Sequence, residues 1–474
     1  LLLAAGALAV LTGALSTRTA SAAQGTVGVG THTTRAGTAP ATRVKRANQD
    51  GAAYVPQQIV VGYASTDAAA HTSDTSAGRP EESPVTHVLT LSSGASMDTT
   101  LAKLRREKGV AWAVPNYVAH ASAATWIPND TGLGSTPGGW QQAQWNFDGT
   151  FGVNAPQAWA NVAADGAPGG ANVVVAVLDT GVAYANRGPF RRSPDFGRYS
   201  FVQGYDFITR TPYASDRNGH GTFVAGTIAE ATNNGFGMTG LAFAARIMPV
   251  RVLDNAGEGD ASVIAEGVRF AVNHGARVIN LSLEFSSDVT AADIPELIQA
   301  LRYAYRHNVV VVAASGNEGL RSIPYPAHAP HVIAVGATTE HGCLADYSDY
   351  GPGLTLVAPG GGPDASLPDD PNCRPESPPG GDIYQMTFTG SNPRVFGFPS
   401  NYEGTSMATP HVTATVALII AAHILGRKPT VAQITARLKA TARPLGGPQD
   451  HTDYGAGLLD AATATERGGP GAVG

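Results

Sequence analysis

Three side chains suited to nucleophilic catalysis stand at the ends of apolar runs. Asp179 follows the run Val173–Leu178 and precedes Thr180 and Gly181. A carboxylate at the end of a buried strand is held rigidly and partly desolvated. His220 lies within Asn218-Gly219-His220-Gly221-Thr222 and opens a helix-like stretch reaching Ala229. Glycine on both sides lets backbone or ligand approach the imidazole closely. Ser406 lies within Gly404-Thr405-Ser406-Met407-Ala408-Thr409-Pro410, at the start of a long apolar segment. A helix beginning there offers N–H groups and a positive field to a developing oxyanion. Each piece alone is also an ordinary turn, helix entry or N-cap. Together, in the order Asp, His, Ser, they supply orienter, base and nucleophile.

Positioning such a set requires rigid strands that end on one side. Val173–Leu178, Arg246–Leu253, Arg277–Leu283, Val309–Ala314 and Val332–Val335 are continuous apolar runs. Between and after them, Ser262–His274, Pro295–Arg306 and Thr430–Ala440 have helical spacing, and Thr430 with Gln433 forms a capping box. This alternation predicts an α/β fold, a doubly wound and mostly parallel sheet with helices on both faces. Its site belongs outside the carboxyl ends of the strands. Met407–Leu425 is apolar but carries Pro410, His411 and several Thr, so it reads as a buried core helix rather than a membrane span.

Composition agrees. Charged residues are 14% of the 474, against about 25% in ordinary soluble domains. Such a chain is held by burial rather than by surface ion pairs. The 57 Gly and 32 Pro imply many tight turns. A net charge of −6 favours neither nucleic acid nor an anionic membrane as a partner. No Gly-x-Gly-x-x-Gly follows the first strand, and no His-Glu-x-x-His or Cys cluster supports a catalytic metal.

Ahead of the sheet the chain divides further. Leu1–Leu15 with Ala20, Ser21 and Ala22 reads as a secretory signal segment over residues 1–23. It has neither initiator Met nor basic stretch, so the sequence is expected to begin inside it. Residues 24–50, rich in Gly, Thr and Ala, read as a flexible linker. Residues 51–121 read as a small α+β unit: strands at Gln58–Tyr63, Val85–Leu91 and Val110–Val118, with a helix at Met97–Lys108. Trp126–Thr150 reads as loop. Export makes Cys343 and Cys373 candidates for a disulfide, two free thiols being the alternative.

The order Asp179, His220, Ser406 and the run Gly404–Pro410 resemble the subtilisin-like serine proteases, the subtilases, over Trp126 to about Ala464. The resemblance implies a secreted serine endopeptidase, a monomer acting on proteins or peptides through an acyl-enzyme and made as a self-processing zymogen. It assigns residues 122–474 to the catalytic domain and 51–121 to a propeptide that inhibits the enzyme intramolecularly. Cleavage is expected between about Ala119 and Thr125. Asn317, in Ser315-Gly316-Asn317-Glu318-Gly319, matches the oxyanion donor. Ser282, Leu283 and Glu284, with Tyr325-Pro326-Ala327, match the substrate cleft. Asp130, Asp195 and Asn234 match ligands of structural calcium, with carbonyls of Thr232, Phe236 and Met238.

Two positions depart from the family pattern. Glu284 and Phe285 stand where Gly-Gly is usual, which implies a narrowed cleft, with a bias toward basic substrates or a carboxylate turned to solvent. Phe223 replaces a second His. Asp130-Thr131-Gly132 repeats the Asp179 tripeptide, as an aspartic protease would require. It lies in a loop only 49 residues upstream, too close for equivalent lobes.

Overall fold

The computed structural model describes residues 45–46, 53–63, 85–92, 95–117, 125–197, 200–367, 369–446 and 452–468. The expected signal segment, nearly all of the linker and most of the expected cleavage window lie outside them. The chain forms two compact units, Leu1–Val118 and Ala119–Gly474.

In the first unit, β1 (Ala53–Tyr63) pairs antiparallel with β2 (Val85–Thr90) and β3 (Val110–Tyr117). Ile59, Val61 and Tyr63 alternate onto one face, where they bury against Leu101 and Leu104 of α1 (Met97–Leu104). Ser96 caps α1 by accepting from the N–H of Thr99 at 3.4 Å. The helix stops short of the expected Lys108, because the chain turns into β3 through Gly109 at φ 95°.

The second unit is built on a parallel seven-stranded sheet. After α2 (Ala155–Ala164), its elements are β4 (Val174–Asp179), β5 (Tyr205–Asp206), α3 (His220–Ala229), β6 (Arg246–Arg251) and α4 (Ala261–Asn273). Then come β7 (Val278–Leu281), α5 (Pro295–Arg306), β8 (Val310–Ala314), β9 (Val332–Thr338), β10 (Leu356–Pro359), the hairpin β11–β12 (Thr387–Phe388, Phe396–Gly397), α6 (Thr405–Ala421), α7 (Val431–Thr441) and α8 (Ala461–Thr465). The sheet order is β10-β9-β8-β7-β4-β6-β5.

Alternation along the strands makes two cores. Val175 and Val177 of β4 join Val310, Val312, Ile333 and Val335 on the face covered by α6. Ala176 and Leu178 join Val311, Ala313 and Ala334 on the face covered by α4 and α5. Burial on both faces explains why these strands read as unbroken apolar runs. Helix α6 is buried nearly all round, which is why it shows no amphipathic stripe. No described helix is long and apolar enough to cross a membrane.

The segment Trp126–Thr150 is not all loop. It holds two single-turn helices, Trp140–Ala143 and Trp145–Asp148. Trp140 and Phe147 are fully buried, and the indole of Trp140 donates to the carbonyl of Pro128 at 3.0 Å. Tertiary burial of these rings overrides the local Gly and Pro content. Cys343 and Cys373 are bonded to one another.

Candidate active site

Asp179 ends β4, and His220 begins α3 beneath it. The ring Nδ1 of His220 lies 2.8 Å from Asp179 Oδ1, which also accepts the N–H of Thr180 at 2.7 Å. Asp179 is fully buried, whereas the His220 side chain keeps 25% of its surface exposed toward the cleft. Burial by itself would lower the imidazole pKa. The charge of Asp179, its hydrogen bond and the charge of Asp216 outweigh that and raise it.

Glycine makes this approach possible. Gly219 adopts φ 109°, which a side chain would strain. A Cβ on Gly221 would lie 2.2 Å from the carbonyl oxygen of Gly181 and 2.9 Å from Asp179 Oδ1. Gly221→Ala is therefore expected to push α3 away from β4 and destabilise the fold by about 1–3 kcal/mol. A urea melt against wild type measures it. An unchanged midpoint would show that the contact yields without strain.

Asp216 is the site residue that motif reading missed. Its buried carboxylate accepts from Thr180 Oγ1, the N–H groups of Asn218, Gly219 and Thr222, and Thr222 Oγ1. These five donors tie the turn after β4 to the start of α3. The one hint in sequence is an Asp two residues before Asn218-Gly219, a pattern that also marks an ordinary Asx turn.

Ser406 is the second residue of α6, so its side chain stands at a helix N-terminus. Pro410 lacks the N–H that would bond the carbonyl of Ser406 four residues back. That carbonyl instead accepts Ser282 Oγ at 2.8 Å, while Ser406 Oγ donates to the carbonyl of Ser282 at 3.2 Å. Asn280 Nδ2 donates to Ser282 Oγ at 2.9 Å, and Thr413 Oγ1 to Asn280 Oδ1 at 2.7 Å. This buried chain fastens the N-terminus of α6 to the end of β7. Ser406 Oγ is thus parked on Ser282, and His220 lines the same cleft, with Leu283, Glu284 and Phe285 along its wall.

Asn317 follows β8. Its Oδ1 accepts the N–H of Thr405 at 2.8 Å and Thr405 Oγ1 at 3.0 Å, which turns Nδ2 outward. Nδ2 donates to Glu284 Oε1 at 3.2 Å. Phe223 is buried and stacks on Tyr402 with ring centroids 4.2 Å apart, packing with Trp145, Ile383 and Met407. The residue that departs from the family pattern beside His220 therefore serves an apolar contact behind the site.

Asp130, Asp195 and Asn234 also converge. Asp130 accepts the N–H groups of Asn233 and Asn234 at 2.7 and 2.9 Å. Asn234 Nδ2 donates to Asp195 Oδ1 at 2.9 Å, and the N–H of Met238 to Oδ2 at 3.0 Å. Asp130 is thereby bound to this loop and not matched with Asp179, which removes the aspartic-protease arrangement. Burial pushes the Asp195 carboxyl up to about 7. Among the described residues no Lys, Arg or His pairs with it. No described group of three or more His, Cys, Asp or Glu is placed to hold a metal. Any ion here would need amide and main-chain oxygens as well.

The pattern of the Subtilase family matches residues 170–457, and that of the Fervidolysin N-terminal prodomain matches residues 40–116. Subtilisin Savinase of Lederbergia lenta is 38% identical over 298 residues, covering 62% of this chain and 91% of that protein. The Thermophilic serine proteinase of Bacillus sp. (strain AK1) is 33% identical over 360 residues, covering 76% of this chain and 74% of the other. A solved protease from Pseudoalteromonas arctica superposes with a TM-score of 0.57 at 29% identity, over 72% of this chain and 99% of that one.

Proposed function

Since the chain belongs to the subtilase family, as a subtilisin-type serine protease with an N-terminal prodomain, we propose that Asp179, His220 and Ser406 are its catalytic triad. The observation that carries this is the 2.8 Å contact from a buried Asp179 to the Nδ1 of His220, in a cleft that Ser406 also lines. Asp179 accepts a hydrogen bond from Nδ1–H and so keeps that proton on Nδ1, which leaves Nε2 unprotonated to act as base. A side-chain rotation takes Ser406 Oγ from the Ser282 carbonyl to Nε2. Oγ then attacks the substrate carbonyl as its proton passes to Nε2. The resulting oxyanion takes hydrogen bonds from Asn317 Nδ2 and the main-chain N–H of Ser406, in the positive field of α6. His220 returns the proton to the leaving amine, and water, activated the same way, releases the acyl group.

Substrates are proteins and peptides laid beside Ser282–Glu284. The enzyme is exported as a monomeric zymogen whose residues 51–121 inhibit it until it cuts itself between about Ala119 and Thr125. The prodomain match to residues 40–116 supports that reading. Hydrolysis of an unstructured protein is the test. The reading expects inhibition by a serine-reactive sulfonyl fluoride and indifference to pepstatin; the reverse pattern would overturn it.

A structural calcium ion fits the Asp195 loop. Among the described residues the buried carboxylate has no cationic partner and takes its hydrogen bonds from the Asn234 amide and the N–H of Met238. Gly237 (φ 64°) packs so closely on it that a Cβ there would lie 2.0 Å from Asp195 Oδ2. With the Asn234 amide turned to present its oxygen, the loop would offer the oxygen ligands that Ca²⁺ takes. Asp195, the Asn234 amide and carbonyls of Thr232, Phe236 and Met238 would hold it, with Asp130 anchoring the loop. The ion would supply countercharge and stiffen the turn. Chelator is expected to lower the melting temperature of the mature protein by about 5 °C or more, with recovery on adding calcium. A melt indifferent to chelator would remove the ion.

A further inference from the structure

Glu284 stands across the slot between the ends of β7 and β8. Its Oε1 is 3.2 Å from Asn317 Nδ2. That is close to the place a substrate oxyanion must take, 2.7–3.1 Å from the same donor. Its Oε2 points at Gly316, where a Cβ would lie 2.6 Å away. Asp349 Oδ2 reaches the same space from behind, 2.0 Å from that Cβ position. Asp349 is fully buried and its Oδ2 has no hydrogen-bond partner, although Oδ1 accepts the N–H groups of Leu320 and Glu318. Burial, together with the charges of Glu284 and Glu318, pushes the Asp349 carboxyl up to about 6. Among the described residues no Lys, Arg or His forms an ion pair with Glu284, Glu318 or Asp349. Glu258 adds a further carboxylate to the cleft lining, which includes no Lys or Arg.

We propose that Glu284, backed by Asp349, selects substrates whose scissile carbonyl belongs to a Lys or Arg residue, and couples that selection to assembly of the oxyanion site. A resting carboxylate holds the Asn317 amide and places negative charge where the tetrahedral oxygen must form. A neutral side chain leaves both obstacles in place. A cationic side chain donates to Glu284 Oε1 and Oε2, draws the carboxylate off Asn317 and supplies the countercharge that the buried Asp349 oxygen lacks. Selection and activation then occur in one movement. This rests on the serine-protease reading and adds to it the class of residue cleaved.

The test uses mature enzyme and matched peptide anilides that differ only at the residue giving the scissile carbonyl: arginine or its uncharged isostere citrulline. Wild type is expected to favour arginine by at least about tenfold in kcat/KM, and Glu284→Gln to bring the ratio near one. A wild-type ratio near one, or a ratio that survives in Glu284→Gln, overturns the proposal. Fluorophosphonate labelling of the same samples separates the two levels. Labelled wild type without arginine preference defeats the selection alone, whereas unlabelled, inactive wild type defeats the protease reading and the selection with it. The wild-type arginine-to-citrulline ratio decides even where the variant does not fold.

Discussion

Ser406→Ala is expected to lower peptide hydrolysis by at least about four orders of magnitude, because Ser406 is the α6 hydroxyl that lines the cleft with His220, whereas the Thr405 hydroxyl is buried and bonded to Gly316 and Asn317. The precursor should then persist uncut at the junction after the prodomain. The fold should survive, since Ser406 Oγ makes a single hydrogen bond, to the carbonyl of Ser282. The larger anchorage runs through the main-chain carbonyl of Ser406, which Ser282 Oγ still holds. Hydrolysis rates, a denaturant melt and gel analysis of purified precursor check all three. A precursor that matures normally in pure form would show that another group or another protease makes the cut.

Asp179→Asn has the second large effect, and it moves the pH profile as well as the rate. Asparagine can donate to Nδ1 and so favours the tautomer with its proton on Nε2, where the base must be bare. A fall in kcat of about 10³–10⁴ follows. The sign of the pH shift comes from the same contact. His220 works as base only when neutral, so activity rises as pH passes upward through its pKa. In the folded protein that pKa is raised, because the Asp179 charge and hydrogen bond, with the charge of Asp216, outweigh burial. Removing the Asp179 charge leaves burial less opposed and lowers the pKa. The acid limb of kcat/KM should therefore move to lower pH while the plateau drops. A limb that moves upward or stays put would mean that Asp179 does not govern the titration.

These effects depend on parts of the molecule that were unequally legible. The strands ending at Asp179, before Ser282 and before Asn317 were readable because burial on both faces gives unbroken apolar runs. Pro295–Arg306 was readable to the residue, and the Thr430–Gln433 capping box is present in the structure. The short strand Leu356–Pro359 and helix Ala155–Ala164 were missed. The first is only four residues long, and the second is rich in Ala without a sharp polar face. Candidate chemistry was legible where a motif marks it locally, as at His220 and Ser406. It was illegible where the partner is remote. Asp216 gathers donors from both sides of His220, Pro410 frees a carbonyl for Ser282, and Glu284 meets Asn317 from beyond the neighbouring strand. None of those three relations has a sequence spacing that announces it.

The central claim is that Ser406, activated by His220, is the nucleophile. Intact mass and peptide mapping after reaction of mature enzyme with a fluorophosphonate test it most directly. One adduct, on the peptide bearing Ser406 and absent in Ser406→Ala and His220→Ala, is the expected result. An adduct on another residue, or none on a folded and processed enzyme, would contradict it.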